Sequence, residues 1–103
     1  MRVVLVLALL AAGCAVPPDI RLRVEGTGTT DQLTYVFPGQ EEKTLRNPDM
    51  PWERSGAKHG KVSLRLEGVH GTLTCKIIIN GRQVRAETSS SGEAVNCTHV
   101  MAD

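Results

Sequence analysis

After residue 18 the chain is dominated by alternation of apolar and polar positions. Ile20, Leu22 and Val24 alternate with Arg21, Arg23 and Glu25, the period of two expected of a strand with one buried face. The same period predicts strands over 32–37, where Leu33, Tyr35 and Phe37 share a face, and more weakly over 41–46. It resumes over 61–67 with Val62, Leu64 and Leu66 inward, and is strongest over 72–79, where Leu73, Cys75, Ile77 and Ile79 align. Segments 82–88 and 94–99 complete the set, with Val84 and Ala86, then Val95 and Cys97, on the buried side. Glycine- and proline-bearing breaks punctuate these runs at 26–30, 38–39 and 68–71, and a serine-rich flexible loop at 89–92. Asn80-Gly81 is the pair favoured by a two-residue type I′ hairpin. Residues 47–60, NPDMPWERSGAKHG, read as an irregular segment. Beyond the N-terminal apolar run no stretch shows helical period, and nothing repeats at a fixed interval. About seven short strands predict an all-β, Ig-like β-sandwich, with residues 19–103 as one domain.

The N-terminus, MRVVLVLALLAAGCA, follows a different pattern. Arg2 precedes ten apolar residues, 3–12, half the length that a helix needs to span a bilayer core and typical of a signal-peptide hydrophobic region. The run ends in Ala11-Ala12-Gly13 before Cys14, an arrangement that resembles a bacterial lipobox. Ala11 stands where Leu is usual, with Leu10 one position back. The lipobox reading makes 1–13 a lipoprotein signal, Cys14 the lipid anchor and 14–18 a short linker stiffened by Pro17-Pro18. Two or more acyl chains on that cysteine would hold the protein stably at the outer face of the cytoplasmic membrane. The competing reading is an ordinary secretory signal with Cys14 incidental.

Charge and cysteine content narrow the partners. Twelve basic and eleven acidic side chains give a net charge of +1, so no nucleic-acid partner is expected. Three aromatic residues, Tyr35, Phe37 and Trp52, are too few for a base-stacking surface or an aromatic cage. With Cys14 lipidated, Cys75 and Cys97 remain as an even pair in an oxidising compartment. A disulfide between them is the simple reading. The alternative, a reactive thiol pair, lacks a CxxC motif or a helix N-terminus to support it.

Candidate chemistry is sparse. Gly26 and Gly28 lie between two strands with no following helix, so they read as a turn and not a phosphate loop. His59, His70 and His99 sit in separate segments without metal-ligand spacing. The serines at 89–91 lack a positioned base. Glu41 and Glu42, adjacent in a strand, would point to opposite faces and could not act as a carboxylate pair. No enzyme activity and no cofactor are expected. Trp52 is the most informative single residue. It reads as a core plug in a domain with few large side chains, or else as an exposed contact together with Pro51.

Four stretches carry a resemblance that spans residues 24–97. VEGTGTT at 24–30 is similar to a Val-x-Gly-x-Gly stretch, and LTY at 33–35 to a Thr-Tyr strand. MPW at 50–52 is similar to Leu-Pro-Trp, and LTCKIIINGRQV at 73–84 with SGEAVNC at 91–97 to a Cys-x-Ile-x-x-Asp-Gly hairpin and terminal cysteine. In order and spacing the chain resembles the MmpS family, small accessory proteins of actinobacterial RND-type exporters. Members of that family usually carry an uncleaved transmembrane helix, which a lipobox would replace here. Met50 stands for the commoner Leu and Asn80 for the commoner Asp. The resemblance implies a non-enzymatic extracytoplasmic accessory protein supporting an RND-type exporter of lipids or siderophore-like molecules, with Pro51 and Trp52 as candidate partner contacts. The alternative is a stand-alone ligand-binding or structural envelope lipoprotein. An apolar cavity between the sheets would favour ligand binding, and a filled core would favour a protein partner.

Overall fold

A computed structural model describes residues 16–101; the segment 1–13, read above as a signal, and Cys14 lie outside the described residues. Eight strands follow in order: β1 (Ile20–Gly26), β2 (Thr29–Val36), β3 (Lys43–Arg46), β4 (Trp52–Gly56), β5 (Gly60–His70), β6 (Leu73–Ile79), β7 (Arg82–Ser89) and β8 (Val95–Met101). They form two antiparallel four-stranded sheets, β4-β1-β6-β7 and β3-β2-β5-β8, and no helix occurs among the described residues. The architecture is the predicted sandwich of two sheets face to face. It has eight strands where the pattern predicts about seven.

The central strands obey the alternation. Ile20, Leu22 and Val24 of β1, Leu33 of β2, Val62, Leu64 and Leu66 of β5, and Leu73, Cys75 and Ile77 of β6 are completely buried and fill the space between the sheets. The Cys75–Cys97 disulfide ties β6 of one sheet to β8 of the other, with 6.2 Å between the Cα atoms. Asn80 and Gly81 take φ of +50° and +80°, as the predicted type I′ turn requires.

Three features depart from the pattern. The first is β4, which lies inside the segment read as irregular. It pairs with β1 from Ile20↔Gly56 to Val24↔Trp52. The second is β5, which continues through the predicted turn at 68–71 as far as His70. Its alternation slips, so that Leu66 and Val69 are both buried although three residues apart, and Thr30 and Leu33 do the same across the pair. Gly68 at φ +66° and the Thr30 hydroxyl, which donates to the Glu67 carbonyl at 2.7 Å, accommodate the slip. A side chain at 68 would also collide with Asp31. The third is a bulge, because the β6–β7 register shifts between Ile77↔Arg85 and Ile78↔Gln83. Ala86 therefore sits exposed opposite Lys76 and not inward, while Val84 packs partly against the core.

Candidate functional site

The molecule's three aromatic rings gather behind one flank of the sandwich. β3 ends one sheet and β4 ends the other, and the connection between them carries Asn47 at φ +47° and a cis Met50-Pro51 bond. The Asn47 amide donates to the Asp31 carbonyl at 3.0 Å, which fixes the start of this connection against β2. Trp52 opens β4 opposite Val24 and turns inward, where it is 5% exposed. Its ring lies 5.1 Å from Tyr35, which in turn meets Phe37 edge-on at 5.9 Å. Phe37 packs against the backbone of Gly56, where an added Cβ would fall 2.3 Å from its ring.

The expected contact pair therefore divides. Trp52 is a core residue and its side chain is not offered to a partner. Pro51 remains exposed beside it. Arg54, two residues on and facing the same side, lays its guanidinium over the indole at 5.2 Å and donates to the Glu53 carbonyl at 2.9 Å. A groove of about 520 Å³ opens at this point, bounded by Leu45 and Arg46 of β3, Pro48, Asp49 and Pro51 of the connection, and Trp52, Glu53 and Arg54 of β4. Trp52 Nε1 is buried and has no hydrogen-bond partner among the described residues. Pattern reading missed Arg46 and Arg54, although the spacing Trp52-x-Arg54 would have placed the latter on the face of Trp52 had β4 been recognised.

The remaining candidates resolve into structural roles. Cys75 and Cys97 are fully buried and bridged. The amides of Thr27 and Gly28 both donate to the Thr72 carbonyl at 3.1 Å, so the glycines build a turn against the β5–β6 connection. The serine segment is tied down and not a free linker. Ser89 ends β7 and is buried, its hydroxyl donating to the Glu93 carbonyl at 2.8 Å, while Ser91 Oγ accepts from the Gly71 amide at 2.8 Å. Glu41 and Glu42 precede β3 and do not lie in a strand. His70 Nε2 sits 3.1 Å from Asp31 Oδ1 on the surface. Among the described residues no group of three or more His, Cys, Asp or Glu side chains could hold a metal ion.

Electrostatics centre on the outer face of the β1 sheet. Lys76 donates to Glu25, and this hydrogen bond holds the Glu25 carboxyl below its ordinary range against a smaller opposing effect of desolvation. Glu53 bridges Arg21 and Arg23 across the β1–β4 pair. No protein-family model matches the chain, and no curated protein matches it.

Proposed function

We propose that the chain is a non-enzymatic accessory protein, anchored by lipid on Cys14 at the outer face of the cytoplasmic membrane, that docks on the extracytoplasmic part of an RND-type exporter of lipids or siderophore-like molecules. The observation that carries this reading is the convergence of the four MmpS-like stretches on one node of the fold. Val24, from the first stretch, is paired with Trp52 on one side and Cys75 on the other. Tyr35, from the second, packs on Trp52. The four stretches form a single packing unit. The disulfide supports an oxidising, extracytoplasmic compartment. The filled space between the sheets supports recognition by surface and not by an enclosed cavity.

The test is a crosslinked pull-down of the tagged protein from detergent-solubilised membranes, read by mass spectrometry. Specific recovery of an RND-type exporter is the expected result. Recovery of the protein alone or with co-purifying lipid overturns the accessory role. That outcome would favour the second reading, a stand-alone ligand-binding or structural envelope lipoprotein, for which the groove beside Trp52 is the place to look.

A further inference from the structure

The two flanks of the sandwich are finished differently. On one flank β7 and β8 are stitched across the sheets. Arg85 faces inward opposite Ile77, donates Nε to the Thr98 carbonyl at 3.3 Å and pairs with Glu87 at 3.4 Å. On the other flank none of the hydrogen bonds among the described residues joins β3 to β4. The free edges of both strands face outward with the groove between them. Such an edge presents unpaired backbone N–H and C=O groups, a template for a further strand.

This flank carries three basic side chains beside the carboxylates Asp49 and Glu53. Lys43 shares the inward face of β3 with Leu45, through its pairing with Tyr35. Arg54 caps Trp52, and Arg46 lines the groove. Neither Arg46 nor Arg54 is ion-paired among the described residues, whereas Arg21, Arg23, Arg65 and Arg85 all are. Of the two nearby carboxylates, Glu53 is taken up by Arg21 and Arg23 on the outer face, which leaves Asp49.

We propose that the flank between β3 and β4 is a strand-acceptor site: an acidic, extended segment of a partner protein pairs with the free edge of β4 and sets a carboxylate against Arg46 and Arg54. The proposal deepens the accessory reading and rests on it, since the exporter is the partner that the reading supplies. A polypeptide meets both the open edge and the unpaired cations. Its backbone satisfies the open edge. Its acidic side chains meet cations that are otherwise unpaired. A phosphate headgroup would leave both edges unpaired. A second copy of this chain would bring Arg54 toward Arg54 about a two-fold axis between antiparallel β4 strands.

The experiment places a photo-crosslinking amino acid at Ser55, exposed on β4, or at Thr88, exposed on β7, in the full-length protein in its own membranes. The crosslinked peptides are then sequenced by mass spectrometry. The expected result is an acidic exporter segment captured from Ser55 and not from Thr88. Its yield should fall about tenfold or more in Arg54→Glu and survive in Arg54→Lys. Arg46→Glu serves as the charge reversal if Arg54→Glu melts below the parent protein. Capture of the exporter from Thr88 and not Ser55 overturns the strand-acceptor site and leaves the accessory reading standing. Capture of no exporter from either position overturns both. Capture at Ser55 of a second copy, or of lipid, overturns the proposal in favour of a dimer edge or a headgroup site, as does a yield indifferent to charge reversal.

Discussion

Replacing Cys75 and Cys97 together by alanine isolates the contribution of the bridge between the sheets. Alanine is preferred to serine because both positions are fully buried, and a stranded hydroxyl there would add its own penalty. The bridge spans 22 residues of sequence, and chain-entropy arguments assign a closed loop of that length about 3.4 kcal/mol at 25 °C. Loss of two buried sulfurs adds about 1–2 kcal/mol of lost contact and cavity. The total, about 4–5 kcal/mol, is large beside the roughly 4–13 kcal/mol expected for a domain of this size. The corresponding fall in Tm is on the order of 15–40 °C. The measurement is thermal and urea unfolding followed by far-ultraviolet circular dichroism, on the oxidised parent, the reduced parent and the double variant. The reduced parent should fall close to the variant, because the loop constraint is the larger part of the effect. A variant within about 1 kcal/mol of the oxidised parent would refute the argument. In that case the loop from 75 to 97 would be held as well by the β6–β7 hairpin and the Arg85–Thr98 bond as by the covalent link.

Three further outcomes follow from local geometry. Gly56→Ala should cost about 1–3 kcal/mol, since the new methyl group must displace the Phe37 ring, and Phe37→Leu in the same chain should return part of the loss; chemical denaturation of the single and double variants measures both. Glu25→Gln should reduce stability at neutral pH and make no difference in acid. The Glu25 carboxyl is depressed in the folded protein, so its contribution is present above its ordinary value of 4.5 and is lost as pH falls through the lower folded value; parallel denaturation curves from pH 7 to pH 2 at low salt decide it. Trp52 is the sole tryptophan, so its emission should be blue-shifted from that of the free amino acid and its single indole N–H should exchange slowly with solvent; solvent-like emission would contradict the burial on which the aromatic cluster depends.

Sequence pattern revealed the interior strands and the edge strands β3, β7 and β8, but missed β4 and the facing of β7, for a physical reason. β1, β2, β5 and β6 have neighbours on both sides, so their inward positions reach only the opposite sheet and must be apolar. Ile20, Leu22, Val24, Leu64 and Ile77 record that constraint directly. At an edge the inward row meets solvent at the flank. β4 accordingly carries Trp52, Arg54 and Gly56 on its inward face, two of which no hydrophobic template would select. Gly56 is there because Phe37 occupies the space of its side chain, and Arg54 because an indole needs a lid that water also accepts. The same logic places Arg85 and Glu87 inward on β7, where the bulge reverses the faces and sends Ala86 outward.

Edge positions released from apolar pattern are also those free to recognise something. The two flanks have used that freedom in opposite ways. Arg85 spends its donors within the molecule, on a carbonyl of β8 and a carboxylate of its own strand, and so closes its side. Arg54 keeps its charge unpaired among the described residues and covers a buried indole donor that has no acceptor. The adjacent Glu53 lies on the opposite face of the strand, where its carboxylate pairs with Arg21 and Arg23. The sequence WER at 52–54 thus sets an acid one way and a base the other across a single strand. Both residues line the groove, but Glu53 is committed to Arg21 and Arg23, whereas Arg54 is not ion-paired among the described residues. An unpaired Arg54 beside the free edge of β4 is the feature on which the proposed acidic partner depends, and Arg54→Glu is its direct test.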